Sequence, residues 1–402
     1  MAQNTAPAKR PQIAVLANIY GRRLHTEHIV DRILDGYGWN GVFRKPSLEV
    51  VSIYVEQRGE GDLVPERAER HPEMKVYNSV ADALTRGTGS LAVDGVVYIG
   101  EQGNYPRNEK GQTEYPRHRF FEEVVEVFRA SGRSVPFYLD KHLSYKWEWA
   151  KEMYDTSRKM GFPFMAGSSL PLTWRIPQVE MPDGVTIRES ICMAFGGVDS
   201  YDIHALESVQ CMVERRKGGE TGVEWLQAYR GDNFWKAHEE KVWSPEIFKA
   251  AMCRSFTLSP GRVGYTDVYP TVQQMKTLAR DPVAYHYRYK DGLRSTIMLL
   301  GGLIEDFNFA AIIEGQPKPL STMMYLSKET EHATLESYFN PLTYYIEQMM
   351  LTRKEKYPVE RVLLATGLLC AGIDSLFQGQ VRLQTPQLDI QYQPAASTMR
   401  RT

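Results

Sequence analysis

Over residues 11 to about 160 the apolar positions fall into short runs that alternate between two periods. Ile13–Asn18, Val50–Val55, Asp94–Ile99 and Val135–Leu139 are nearly unbroken apolar runs, as suits strands buried on both faces. The segments between them carry helical spacing. His25 to Leu34 sets Ile29, Ile33 and Leu34 on one side. Pro65–His71 and Ser79–Leu84 are shorter helices, with Val76-Tyr77 a link between them. Arg119–Ser131 repeats Phe120, Val124, Val125, Val127 and Phe128 at helical intervals, and Tyr145–Met160 follows the Val135 strand. Phe164–Ser168 is one more strand. Strand–helix alternation predicts a parallel sheet with helices on both faces.

Beyond Phe162 the pattern changes. Val185–Phe195, Gly222–Arg230, Ala284–Tyr289, Thr296–Leu303 and Phe307–Glu314 are strand-like, and helices are expected at Ile203–Arg215, Ser244–Arg254 and Thr271–Asp281. Lys290-Asp291-Gly292 between Ala284–Tyr289 and Leu293–Leu300 is a hairpin signal, so this half is α+β with a mostly antiparallel sheet. Helices Pro341–Lys354 and Val359–Leu376 close the chain. The expected organisation is an α/β domain over 11–168 and an α+β domain over 169–393, with the closing helix 359–376 placed to pack back on the first. Residues 1–10 and 394–402 read as disordered ends.

The 402 residues suffice for two such domains. A net charge of -1 gives no global field that would draw nucleic acid or an anionic membrane. Cys192, Cys211, Cys253 and Cys370 lie far apart with no C-x-x-C pair, which suggests neither a disulfide framework nor a zinc site and fits a reducing cytoplasm. Met1 to Arg10 lacks the apolar core of a secretory signal. The apolar runs near 297–304 and 362–373 are too short to span a bilayer.

Candidate chemistry gathers at strand ends. The Val135–Leu139 run stops at Asp140-Lys141-His142, and ligands of open α/β sheets bind just beyond the carboxyl ends of the strands. Lys141 is therefore a candidate for chemistry; the alternative is a solvated strand end with a salt bridge. Glu101 to Arg117 is a long turn-rich insertion at another strand end, in the place of a lid or specificity loop, or else a plain surface loop. The first turn, Ala17-Asn18-Ile19-Tyr20-Gly21-Arg22-Arg23-Leu24-His25, lacks the G-x-G-x-x-G of a dinucleotide site, although Arg22 and Arg23 could face phosphates. Glu56 ends the second strand, where an acid takes ribose hydroxyls. Gly196-Gly197 leads into Asp199, Tyr201, Asp202 and His204. If Asp202 caps the helix, His204 stands in its first turn, where the dipole favours a neutral imidazole able to act as a base. His25 and His28 share a helix face, but no third ligand is indicated, and no metal is expected. Tyr105, Tyr115, Trp147, Trp149 and Trp174 either line a sugar site or pack.

Distributed over residues 11 to 393, these features resemble the glucose–fructose oxidoreductase / inositol dehydrogenase / MocA-type family. The resemblance rests on Glu66-Arg67-Ala68 with Val76-Tyr77 and Ala81–Leu84, and on Val93-Asp94-Gly95-Val96. It also rests on Gly132-Arg133-Ser134-Val135 running into Asp140-Lys141-His142, on Gly196-Gly197 with His204, and on Pro358 to Pro386 with Ser375. Here His142 replaces the proline of the family's E-K-P, Asp140 replaces its acid, and Ser200 stands four before His204. The resemblance implies a Rossmann domain with a parallel sheet, followed by a domain with an open, mostly antiparallel sheet that pairs into homodimers or homotetramers. It implies hydride transfer between NAD or NADP and a hydroxyl of a sugar, cyclitol or related carbohydrate. Lys141, His204 and Asp202 would be catalytic. Asn18, Gly21, Arg22, Arg23, Glu56 and Glu101 would hold the cofactor, and His142, Tyr201, Trp174 and Arg175 the substrate. The missing glycine turn, with His142, His25 and His28, keeps a second expectation open: a non-redox lyase, hydratase or epimerase, with a metal or without. A carbohydrate-binding protein without catalysis is a third.

Overall fold

The computed structural model describes residues 10–258, 269–326 and 337–395; the two ends expected to be disordered lie almost wholly outside them. The first half contains β1 (Gln12–Ile19), α1 (Arg32–Asp35), β2 (Tyr37–Trp39), β3 (Val42–Arg44), β4 (Glu49–Gln57), α2 (Val64–Arg70), β5 (Lys75–Val76), α3 (Val80–Thr85), β6 (Gly95–Ile99), α4 (Arg117–Ala130), β7 (Phe137–Asp140), α5 (Trp147–Met160) and β8 (Phe164–Gly167). Its sheet has the order β5-β4-β1-β6-β7-β8, and every neighbouring pair is parallel. Ile13 to Ala17 and Val96 to Ile99 are fully buried, which is why these strands read as unbroken apolar runs. The order reverses between β1 and β6, and the crevice beyond their carboxyl ends is where a doubly wound sheet binds ligands.

Three local features differ from the expectation. The helix after β1 is interrupted by a π turn, Glu27–Asp31, so His25 and His28 do not share a regular helix face. Val76 belongs to an edge strand rather than a link. Tyr37–Arg44 forms a small hairpin that no strong alternation announces.

The second half contains β9 (Arg175–Ile176), β10 (Ile187–Ala194), α6 (Asp202–Val213), β11 (Val223–Arg230), α7 (Asp232–Glu239), α8 (Pro245–Met252), α9 (Val272–Leu278), β12 (Val283–Tyr289), β13 (Arg294–Leu299), β14 (Phe307–Ile313), β15 (Leu320–Met324), α10 (Asn340–Thr352), α11 (Glu360–Phe377) and β16 (Arg382–Gln384). The eight-stranded sheet runs β16-β11-β12-β13-β10-β14-β15-β9 and is antiparallel except at β10–β13. The β12–β13 hairpin turns at Gly292, whose φ is +94°. On one face lie α6 and α11; on the other, α7 and α8 enclose a second core around Phe234, Trp243, Ile247 and Phe248.

α11 touches both halves. Gly372 lies on the ring of Tyr285 in β12, where a Cβ would come within 2.5 Å, and Gly367 leaves room for Trp147 of α5. The Leu143 amide donates to Thr366 Oγ1 (3.1 Å), and Tyr154 Oη donates to Glu360 Oε1 (2.8 Å). Arg361 of α11 donates through Nε to Glu214 Oε2 (2.9 Å) and through Nη2 to Oε1 (2.5 Å), both residues buried. A buried pair of this kind resists the loss of one partner more than the loss of both. Arg361→Met should therefore cost about 3–5 kcal/mol in chemical denaturation, and the double variant with Glu214→Leu should cost less than the single one. A double variant that simply adds the two losses would contradict this reading.

Candidate functional site

β7 carries its last residues into the interior. Asp140 is fully buried, and Lys141 and His142 are nearly so. The strand end is thus not a solvated tip. Lys141 adopts φ +76°, and its backbone exchanges hydrogen bonds with Gly167 at the end of β8 (3.0 and 3.3 Å). Gly167 has φ +114°, and a Cβ there would fall 2.3 Å from Glu207 Oε1 on α6, so only glycine fits. The Ser168 amide donates to Glu207 Oε2 (3.0 Å). Strand tip and α6 are therefore seated against each other where the Gly167–Ser168 backbone meets the Glu207 carboxyl.

Three charged or titratable groups meet at that tip. Asp140 Oδ2 lies 2.9 Å from His25 Nδ1 and 3.3 Å from Lys141 Nζ; Lys141 Nζ lies 2.6 Å from His25 Nδ1 and 3.2 Å from its Nε2. Burial alone would raise the Asp140 carboxyl, but the Lys141 ammonium and the His25 ring outweigh it and hold the group well below the usual carboxylate range. The pair His142 and Arg117 stands beside them. Arg117 is buried and donates to the Gly100 carbonyl, to Glu101 Oε2 and to His142 Nε2, each at 2.8 Å. Burial and the neighbouring Arg117 and Lys141 cations keep His142 neutral, its pKa far below the ordinary histidine value.

The second half contributes α6. Gly196, at φ +87°, leaves space for the Tyr201 ring, which a Cβ would approach to 2.2 Å. Tyr201 is the residue before the helix, and Asp202 is its first residue rather than its cap. The Asp202 carboxylate is fully buried. It accepts from Tyr285 Oη and the Asp199 amide at 3.0 Å, and burial raises its pKa to about 6. It is committed to the core under α6. His204 stands in the first turn, between Tyr201 and Phe307 (ring centroids 5.8 and 6.1 Å). Burial, reinforced by the charges of Lys141 and His25, holds the ring well below the usual histidine range, so it is neutral near pH 7. Its Nδ1 has no hydrogen-bond partner among the described residues.

The two halves enclose a cavity of about 240 Å³ lined by His25, Ser169, Leu170, Phe195, Tyr201, His204, Phe307, Leu326 and Tyr338. Its wall of aromatic rings and imidazoles suits a small polyhydroxylated ring, with apolar faces for C–H and nitrogen acceptors for O–H. Of the candidates drawn from the sequence it brings together Tyr201, His204 and, one residue behind His25, Lys141. His142 lies behind Arg117. Trp174 packs on Trp39 and Tyr325 (centroids 6.1 and 5.9 Å), and Arg175 donates to the Thr173 and Pro171 carbonyls; neither lines the cavity. Both lie at the β9 edge, packed against Trp39 and Tyr325 or bound to backbone carbonyls. Tyr338, Phe307 and Ser169 line the cavity without any sequence signal, and the sequence marks His25 only as a neighbour of His28. His28 stacks on Phe339 (4.6 Å), and the His25 and His28 rings meet edge-on at 6.4 Å. Among the described residues, one group has the geometry of a metal site, His118, Glu122 and Glu152; both imidazole nitrogens of His118 already face a carboxylate there.

No family model matches the sequence. No curated protein matches it either. Solved structures match along nearly the whole chain. The GenD2 enzyme of gentamicin A biosynthesis, in complex with NAD, aligns over 96% of this chain and 99% of its own at 10% identity, TM-score 0.57. The scyllo-inositol dehydrogenase of Lactobacillus casei aligns over 94% and 98% at 11% identity, TM-score 0.53. The myo-inositol dehydrogenase of the same organism, in complex with NAD(H) and myo-inositol, aligns over 93% and 96% at 11% identity, TM-score 0.53. The fold is that of the glucose–fructose oxidoreductase / inositol dehydrogenase / MocA-type family.

A dinucleotide, which that fold implies, can be tested against the residues present. A crevice of about 360 Å³ runs beyond the ends of β1 and β4, lined by Ile19, Gly21, Arg22, Gln57 and Arg58 among others, and suits an adenosine phosphate. The other end is the Lys141 tip. Between them lies Gln102–Tyr105, bound at four points. Asn18 Nδ2 donates to the Gln102 carbonyl (3.2 Å), and the His25 amide to Gln102 Oε1 (3.1 Å). Gln57 and Asn104 pair twice (2.8 and 3.0 Å), and Tyr105 Oη donates to Glu56 Oε2 (2.6 Å). Glu56 also pairs with Arg119, Glu101 with Arg117, and the Arg23 amide donates to Glu27 Oε2. The residues fit the two ends of a dinucleotide; the middle of the crevice is occupied by Gln102–Tyr105.

Glu207, three residues beyond His204, offers a test of how tightly this region is desolvated. Burial raises its pKa to about 7. A raised folded-state value means stability that is present below the unfolded pKa of about 4.3 and lost as pH rises through the folded one. Glu207→Gln should thus stabilise the protein by on the order of 2 kcal/mol at pH 8 and by little near pH 4. Equal effects at both pH values would contradict it.

Proposed function

We propose that this chain is an oxidoreductase that oxidises a hydroxyl of a sugar, cyclitol or related carbohydrate, with NAD or NADP as partner. The observation that carries the reading is a cavity shared by His25, which touches Lys141 at the strand tip of the first half, and His204 of the second. Structural likeness to dehydrogenases supports it. When bound, the dinucleotide supplies the hydride acceptor. The chain's own residues do the rest. The aromatic wall of Phe195, Tyr201 and Phe307 excludes water and seats the ring. An imidazole of the cavity takes the hydroxyl proton, which the family resemblance assigns to His204. The Lys141 ammonium, held in place by Asp140, supplies the positive charge that stabilises the oxygen as it loses that proton.

A second reading is favoured by one observation, the Gln102–Tyr105 segment fastened across the strand ends. On that reading the cavity carries out acid–base chemistry on a carbohydrate without a nucleotide, as a lyase, hydratase or epimerase would. Fluorescence titration with NADH and NADPH separates the two. Saturable binding of either supports the oxidoreductase; no binding of either, with turnover of a sugar or cyclitol retained, supports the second reading.

Lys141→Met is expected to reduce turnover by roughly 10²-fold or more, the scale of a lost charge-stabilising donor, with a far-ultraviolet spectrum like that of the parent protein. Full activity in that variant would remove Lys141 from the mechanism.

A further inference from the structure

The cavity offers two imidazoles, and they are not equivalent. A catalytic base needs a partner that fixes its tautomer and aims its free nitrogen at the substrate. His204 lacks one: its Nδ1 has no partner among the described residues, and Asp202, the nearest acid in sequence, is turned to Tyr285. His25 has one. Its Nδ1 lies 2.9 Å from Asp140 Oδ2, a carboxylate with no exposed surface.

The position of Lys141 decides the tautomer. Nζ is 2.6 Å from Nδ1 and 3.2 Å from Nε2. An ammonium in line with the Nδ1 lone pair would lie much farther from Nε2, on the opposite side of the ring. The two short distances place it over the ring face instead. The Nδ1–H is then free to donate to Asp140 in the ring plane, and Nε2 is left as an acceptor. His25 is 19% exposed at its side chain and lines the cavity, so its ring belongs to the site. Its orientation is fixed from every side. Gln102 Oε1 holds its backbone amide, Phe339 packs edge-on at 5.1 Å, and His28 lies beyond.

We propose that His25, oriented by Asp140, is the residue that takes the proton from the substrate hydroxyl, while His204 binds a hydroxyl without accepting its proton. This rests on the oxidoreductase reading and deepens it. The substrate O–H bond breaks and an Nε2–H bond forms. The oxygen keeps the electron pair, which becomes the second carbonyl bond as the carbon gives up its hydride. The resulting imidazolium lies between the Asp140 carboxylate, which stabilises it, and the Lys141 ammonium, which drives its proton back out to solvent or substrate. The first turn, which has no glycine fingerprint, thereby serves a different purpose, carrying an imidazole to the strand tip.

The test uses the full chain and three variants, His25→Ala, His204→Ala and Asp140→Asn. Turnover is followed with myo-inositol, scyllo-inositol and a set of aldoses, with NAD or NADP, in the presence and absence of added imidazole. His25→Ala should lose at least roughly 10²-fold in kcat with little change in KM, and imidazole should restore part of it. His204→Ala should lose mainly through KM and gain nothing from imidazole. Rescue of His204→Ala instead, or an unchanged kcat in His25→Ala, would overturn the proposal. Ring nitrogen shifts of the ¹⁵N-histidine-labelled protein decide it independently of turnover. The His25 signals, assigned by their loss in His25→Ala, should show Nδ1 protonated and Nε2 bare, and Asp140→Asn should abolish that preference. The opposite tautomer would overturn the proposal even in an active enzyme. The expected tautomer in a protein that turns over none of the panel would leave the oriented imidazole standing and count against the oxidoreductase reading.

Discussion

The site depends on one buried carboxylate. Asp140 sits at the end of a strand with no access to water, and an ionised acid there is tolerable only because Lys141 and His25 surround it. That requirement has consequences in both directions along the chain. Lys141 must take a left-handed backbone conformation to fold its ammonium back, and Gly167 must be glycine to let the strand tip and Glu207 share one place. The first turn must deliver His25 to the same point, and Gln102 must hold it there.

The Gln102–Tyr105 segment links this cluster to the rest of the first half. Its anchors are residues that a doubly wound sheet would normally leave to a nucleotide: Asn18 at the end of β1, and Glu56 and Gln57 at the end of β4. Their polar groups are satisfied by the chain itself. Any ligand laid along the strand ends must match those attachments before it gains anything, so affinity there depends on the cost of releasing the segment as well as on new contacts. The eight-stranded sheet is the other partner. With α6 and α11 on one face and α7 and α8 on the other, it sets His204 beside Phe307.

Much of this fold is legible in the sequence because its central strands are buried on both faces. Ile13 to Ala17 and Val96 to Ile99 have no polar position to confuse the reading, and the β12–β13 turn announces itself at Gly292. The edges are not legible: β9 and β5 are two residues long, and β15 and the β2–β3 hairpin carry too few alternations to stand out. For the site, Lys141 and His204 stand out as a charged strand end and a histidine in a first helical turn. Asp202 cannot be placed from sequence, because a first-turn acid caps or packs according to what lies opposite, and here Tyr285 lies opposite. His25 is hidden for a different reason. Its partners are 115 and 116 residues away, and no spacing within the first turn indicates them. Trp174 and Arg175 lie at the β9 edge, away from the cavity, and an aromatic beside an arginine looks alike in a pocket or in a packed edge.

On the proposed function, the cavity between His25 beside the β7 tip and His204 at the start of α6 receives a polyhydroxylated ring. The most direct measurement is a crystal structure of the protein soaked with myo-inositol. The expected result is a ring seated among Tyr201, His204, Phe307 and His25, with Asp140 still contacting His25 and Lys141. A ring bound elsewhere, or a crevice filled only by Lys141 swung away from Asp140, would contradict it.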